Sequence, residues 1–388
     1  MSRLLVLSNG AGEDAIASKV LQRLPEDLKA RVVCCPLVGP GKALSQDFEL
    51  CGPRVLPPSE GLFRESWALA FKDLARGVIG GHIQQLKFLR SVSERVGLTL
   101  AVGDLFPVIW AGFGGSPRTF FIGTAKSIYH HPYSYLERCL LKRLIDQGVV
   151  RDQPTAEKLR EQGLNVRCLG NAMMDEVQPR GIELPFEDAS PVVTLFPGSR
   201  SGASSVLSFQ LEVLETVRAT IPGLQAGVAV APGMDCRELV GDSREKGWTW
   251  NSDSAGMTSG FLSRGDARVY FLSGALGDLL AVSSLALGQA GTANEQAAGA
   301  GVPVVAYSPN GEKGLRWYRK RQKGLLGDAV RVVVENKSVI ARELVLLLSD
   351  PTERARRAEI GRERMGPAGA CALMAQAISE MWCEGEAS

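Results

Sequence analysis

Histidine is scarce in this chain, with three in 388 residues, two of them adjacent. None of the eight cysteines forms a Cys-x-x-Cys pair. No ligand spacing for a zinc is therefore present, and no bound metal is expected. The most apolar window, Leu98–Gly115, contains Asp104, Pro107 and four glycines. It is expected to be a strand followed by a loop, not a membrane span. The net charge is only +2 and no Lys/Arg block or aromatic-rich basic ribbon occurs, so nucleic acid is not an expected partner. The chain opens directly on a strand-like run, Arg3–Ser8, without the apolar core of a secretory signal. Reduced cysteines and a cytoplasmic setting are the expectation. No short-period repeat is evident.

What the sequence does have is an alternation of buried strands and amphipathic helices. A chain of 388 residues is too long for one ordinary core, and 45% hydrophobic with 22% charged residues is a globular balance. Apolar runs at 3–8, 31–37, 98–102, 119–123, 147–150 and 166–169 read as strands of a first domain. Runs at 192–196, 225–231, 268–272, 285–287 and 302–307 read as strands of a second. The expected fold class is α/β, with two doubly wound Rossmann-like domains facing across a cleft. Residues 1–177 would form the N-terminal domain and 178–191, rich in prolines and acids, the linker. Residues 192–366 would form the C-terminal domain, and 367–388 a helix packing back on the N-terminal one.

The organising stretch is Ser283–Tyr307. It reads as strand, glycine turn, short helix, glycine stop and strand. Gly288 and Gly291 permit a sharp turn. Thr292 with Glu295 three residues later predicts a capping box, and Gly301 a C-cap. Such a turn aims free backbone N–H groups and the positive end of a helix at the space beyond the strand, which suits a phosphate. It is equally readable as a plain strand–helix joint in which Glu295 only caps.

Other segments add chemistry-bearing residues. Gly10-Ala-Gly12-Glu-Asp-Ala15 matches the dinucleotide fingerprint weakly, because the next strand ends in Val38-Gly39-Pro40 with no acid to hold a ribose. A glycine loop open to close approach is the milder reading. Glu13 and Asp14 are either helix-dipole partners or polar groups facing a ligand. Asp104 ends a strand, where α/β sheets place ligands, and is otherwise a loop cap. His130 and His131 are a poor metal pair, though one could act as acid, base or phosphate contact. Residues 62–96 form an expected helical region, broken near Gly80–Gly81, with apolar stripes and interspersed Arg and Lys. It is either core helix or a basic amphipathic surface for a membrane interface. In the second half, Pro197-Gly-Ser199-Arg200 follows a strand. Arg200 is either a surface ion-pair partner or a fork for a diphosphate. Two anion-suited turns in one domain favour a nucleotide.

Pro197-Gly-Ser-Arg200, Gly170-Asn-Ala-Met-Met-Asp175 and Gly291-Thr-Ala with Val302-Pro-Val-Val-Ala-Tyr307 together resemble lipid-A-disaccharide synthase. With Ser8-Asn-Gly-Ala-Gly-Glu-Asp14, the chain is still more similar to the divergent lipid-A-disaccharide synthase-related branch. The resemblance covers most of the chain in order. It implies the glycosyltransferase-B fold and an inverting, metal-independent hexosyltransferase of lipid A biosynthesis without a cofactor. The donor would be a UDP-sugar of the N-acetylglucosamine type and the acceptor lipid-linked, at the inner membrane surface. It implies that Ser199, Arg200, Gly291, Thr292, Ala293 and Glu295 or Gln296 hold UDP. Asp104 would be the general base, Glu13, Gly10 and Gly12 would belong to the acceptor-side loop, and residues 62–96 would touch the membrane.

Three departures bear on sugar and acceptor. Gly202-Ala-Ser-Ser205 follows the Arg200 turn where the synthase carries an acid. Gln296 stands where the synthase's later acid falls. Leu105-Phe-Pro-Val108 differs from the synthase's loop. Two alternatives follow: a UDP-N-acetylglucosamine 2-epimerase-like enzyme, and a non-catalytic sugar-nucleotide or lipid-binding relative.

Overall fold

A computed structural model describes residues 2–55, 78–198, 202–253, 258–308 and 313–387. The chain divides into two units, Met1–Ala172 with Gly369–Ser388, and Met173–Ala368. Residues 178–191 belong to the second unit, where Asp278 accepts the backbone N–H groups of Arg180 (2.7 Å) and Ile182 (3.0 Å).

Among the described residues the first unit holds seven parallel strands: β1 Arg3–Ser8, β2 Val32–Pro36, β3 Glu49–Leu50, β4 Val96–Gly103, β5 Thr119–Gly123, β6 Gln147–Val150 and β7 Val166–Arg167. Their order is β3-β2-β1-β4-β5-β6-β7. Strand β1 is buried from Leu4 to Ser8, as a strand covered on both faces must be. Helix Ala11–Leu21 supplies Val20 and Leu21 to one side, and the C-terminal helix Ala370–Glu386 adds Met374, Ile378 and Met381 to the same core.

Among the described residues the second unit holds eight strands: β8 Val192–Phe196, β9 Gln225–Val230, β10 Thr249–Asn251, β11 Gly260–Arg264, β12 Ala267–Ser273, β13 Leu285–Gly288, β14 Val304–Ser308 and β15 Val330–Val334. The order is β10-β11-β12-β9-β8-β13-β14-β15, parallel except for β10-β11-β12 at one edge. Each unit is thus a doubly wound, Rossmann-like sheet. In each, the order reverses beside the unit's first strand, at β1/β4 and at β8/β13. Open α/β sheets bind ligands at the carboxyl ends flanking such a point.

Three sequence expectations are corrected. Leu105–Phe113 is a helix, not a loop. Asp104 caps it, and Pro107 falls in its first turn, where the missing N–H has no intrahelical partner to lose. The helix Val78–Val92 runs through Gly80–Gly81 without a break. A Cβ on Gly81 would lie 2.7 Å from Val55 Cγ2, so this glycine serves close packing and not a kink. The remaining part of the expected helical region, residues 62–77, lies outside the described residues. Finally, Thr292 does not cap its helix, as described below.

Candidate functional site

In the first unit, three strand ends converge. Asn9 follows β1, Asp104 follows β4 and Thr124 follows β5. Asn9 Nδ2 donates to Asp104 Oδ1 at 2.8 Å, and the same oxygen accepts the backbone N–H of Phe106 at 2.9 Å. Asp104 therefore caps a helix and ties β4 to β1 with one carboxylate oxygen. Thr124 Oγ1 reaches Glu13 Oε1 at 3.5 Å. Gly103 sits at φ +133, and a Cβ there would collide with Asn9 Oδ1 and lie 3.3 Å from Glu13 Cγ. A Cβ on Gly10 would lie 2.7 Å from Glu13 Oε2. The two glycines therefore let Asn9, Glu13 and Asp104 gather within one unit. Gly12 is exposed, with nothing near its Cβ position.

Behind this cluster lies Asp14. It is buried and accepts from Ser8 Oγ at 2.5 Å. Burial pushes its carboxyl up to about 6; the Ser8 hydrogen bond opposes the rise and the Glu13 charge adds to it. Tyr133 is also buried, and its hydroxyl has no hydrogen-bond partner among the described residues. A Cβ on Gly123 would lie 2.6 Å from that hydroxyl. Burial, with the charges of Glu137, Asp104 and Asp152, raises the phenol well above its ordinary range, so it stays a proton donor. His131 adopts φ 53, the left-handed region, and its ring meets that of His130 edge to face at 4.2 Å.

In the second unit, β8 and β13 pair directly, with Phe196 opposite Gly288. Gln210 Nε2 donates to the carbonyls of both Phe196 and Leu287, at 3.3 and 3.2 Å. Gln289 N donates to Phe196 O at 2.8 Å, and a Cβ on Gly198 would lie 4.0 Å from Gln289 O. The two glycine turns singled out in the sequence are therefore side by side. Ser199 and Arg200 lie outside the described residues.

The helix after β13 spans Thr292–Gly299, with Gly291 as N-cap and no side-chain cap. The expected Thr292–Glu295 capping box is absent because Thr292 is already the first helical residue; the Glu295 N–H instead reaches Gly291 O at 3.4 Å. Gly288 and Gly291 are needed for close approach, the first by the Asn294 amide and the second by the Tyr318 hydroxyl.

The turn is held from beneath by the helix Lys313–Leu326. Arg319 is 1% exposed. Its Nη1 donates to Ala290 O at 3.2 Å and to Gln322 Oε1, and its Nη2 donates to Gln289 Oε1. Gln322 Nε2 donates to Gly291 O at 3.0 Å and approaches Ala290 O at 3.4 Å. Both carbonyls thus face the helix. In a planar trans peptide the N–H points opposite the C=O, so the N–H groups of Gly291 and Thr292 face away from it. Among the described residues neither N–H, nor that of Ala293, has a hydrogen-bond acceptor. Outward N–H groups at a helix start are an arrangement suited to an anion.

Glu295 and Gln296 are both buried. Gln296 Nε2 is engaged with Met173 O at 3.2 Å and Glu176 Oε2 at 2.9 Å. The residues that sequence reasoning passed over are Asn9, Thr124 and Tyr133 in the first unit and Gln289, Arg319 and Gln322 in the second. Arg319, Gln322 and Leu326 recur at helical spacing and are all buried, a periodicity present in the sequence but masked by the surrounding Arg and Lys.

No family model matches the chain, and no curated protein does. Solved structures do. A UDP-N-acetylglucosamine 2-epimerase from Neisseria meningitidis, solved with UDP-GlcNAc bound, is 14% identical with a TM-score of 0.53, covering 98% of this chain and 100% of its own. The glycosyltransferase of kitacinnamycin is 16% identical with a TM-score of 0.57, covering 98% and 100%. MurG from Acinetobacter baumannii is 13% identical with a TM-score of 0.54, again over 98% and 100%. At such identities the likeness is one of fold. The chain has the glycosyltransferase-B fold, built of two Rossmann-like units.

Proposed function

We propose that the chain is an enzyme acting on a UDP-sugar, and that the β13 turn holds the donor's diphosphate. The observation that carries this reading is the pair of inward carbonyls at Ala290 and Gly291, which turns the N–H groups of Gly291 and Thr292 outward; these and the Ala293 N–H have no acceptor among the described residues. The UDP-GlcNAc bound by the Neisseria epimerase of the same fold supports the ligand class. In this reading Arg200 and Ser199, next to the described end of β8, complete the grip on the diphosphate, and Glu295 or Gln296 meets the ribose.

Within that class, the motifs resembling lipid-A-disaccharide synthase favour transfer of an N-acetylglucosamine-type sugar to a lipid-linked acceptor, with inversion. Asp104, or Glu13 beside it, takes the acceptor hydroxyl proton. The positive end of the Thr292 helix and Arg200 meet the charge that develops on the departing UDP. Residues 62–96 are proposed to carry the chain to a membrane surface. No helix among the described residues is long and apolar enough to cross one.

The second reading is an epimerase. The Glu13 and Asp104 cluster favours it, because proton abstraction from the sugar needs carboxylates in the first unit. Incubation of the protein with UDP-N-acetylglucosamine, with and without a lipid-linked sugar acceptor, separates the two. UDP release that requires acceptor supports transfer. A changed sugar nucleotide without acceptor supports epimerisation. Thermal stabilisation by UDP but by neither NAD nor GDP tests the ligand class beneath both.

A further inference from the structure

Arg319 is one of the largest fully buried side chains in the protein, and among the described residues no carboxylate is hydrogen-bonded to it. Among the described residues it forms no ion pair, and its Nε has no acceptor. Its hydrogen-bond partners are neutral, namely Gln289, Gln322 and the Ala290 carbonyl, and the rings of Tyr318 and Tyr307 lie beside it. Burial holds the guanidinium down to about 10, so at neutral pH it remains charged. A buried charge without a counter-charge is costly and is usually paired. Such a residue would not be expected for packing alone, where a leucine or methionine would serve.

The place it occupies supplies the missing counter-charge. Arg319 touches the turn from inside, at Gln289 and Ala290, while the N–H groups of the same turn face outward. An anion bound by those N–H groups sits one peptide layer from the guanidinium, through a region of low dielectric in which charges interact strongly. The neutral amides of Gln289 and Gln322 hold the arginine without neutralising it, so its field is left for the ligand.

We infer that Arg319 is a positioning and specificity residue that selects ligands by charge, making the turn a site for a diphosphate and not for a monophosphate or an uncharged nucleoside. It acts through the turn without contacting the ligand. This rests on the reading of the turn as an anion site, and it adds a buried source for the preference.

The test is a charge ladder: uridine, UMP, UDP and inorganic pyrophosphate, each titrated calorimetrically into wild type and Arg319→Gln. The expected loss in the variant is none for uridine and about tenfold or more for UDP and pyrophosphate, with UMP between. An equal loss across the ladder, uridine included, would mean a purely structural arginine and overturn the inference. So would undiminished pyrophosphate binding in the variant. If wild type binds pyrophosphate but no nucleotide, the UDP reading fails while the inference stands; if it binds none of the anions, both fail. Should Arg319→Gln not fold, arginine-labelled wild type gives the answer by NMR. The Nε–H resonance of Arg319 is expected to shift on saturation with pyrophosphate and to stay fixed with uridine. A resonance indifferent to pyrophosphate contradicts the inference.

Discussion

Ser8 Oγ donates to Asp14 Oδ1 at 2.5 Å inside the first unit, and this single hydrogen bond is opposed by burial and by the neighbouring Glu13. The outcome is a carboxyl raised to about 6, against about 3.9 in an unfolded chain. A raised carboxyl pKa means that the folded state binds the proton more tightly. Its stabilising contribution is therefore full below about pH 4 and is lost as pH climbs to about 6. The integrated effect is about 3 kcal/mol at most. Urea melts of wild type and Asp14→Asn between pH 4 and 7 should diverge across that window, with the variant lacking this component of the slope. Parallel curves would mean that Asp14 titrates normally.

Asp104 caps a helix and is proposed as the general base, and one substitution separates the two. Asparagine also caps helices well, so Asp104→Asn should keep stability within about 1 kcal/mol. If Asp104 is the general base, the same change lowers turnover by about 100-fold or more, since an amide takes no proton. Melting temperature and initial rate, measured on the same preparation, check the pair of outcomes.

Gly361 marks a close helix crossing in the second unit. A Cβ there would collide with the backbone of Ala298, joining the helix Pro351–Met365 to the helix that begins at the proposed phosphate turn. Neither backbone can yield locally. Gly361→Ala should cost about 1–3 kcal/mol in a denaturant melt and should weaken UDP binding along with stability.

Gly12 makes the opposite case. It is helical, exposed and unobstructed, so alanine there should stabilise the fold by about 0.5–1 kcal/mol. If this glycine faces the acceptor, Gly12→Ala raises the KM for acceptor while leaving UDP affinity unchanged. A variant that is more stable and kinetically silent would take Gly12 out of the site.

The sheets were largely legible in sequence because their central strands are buried on both faces. β1, β5, β6 and β8 have the bounds that their apolar runs predict. The edge of the second sheet was not legible. β10 and β11 carry Thr249, Asn251, Ser263 and Arg264 among their apolar residues, as half-exposed edge strands do. The Gly265–Asp266 pair, with Gly265 at φ +57, was the available hairpin signal. The helix after Asp104 was hidden by the proline and glycines of Leu105–Gly115, which read as loop until Asp104 is seen as a cap. The position of the β13 turn was readable from its glycines. Its orientation was not, because it is set by Arg319 and Gln322, about thirty residues downstream.

A crystal structure of the protein with UDP tests the central claim most directly. The account predicts diphosphate oxygens within about 3.2 Å of the N–H groups of Gly291, Thr292 and Ala293, with the Ala290 and Gly291 carbonyls still turned to Arg319 and Gln322. UDP bound elsewhere, or a turn whose N–H groups face inward in the complex, would contradict it.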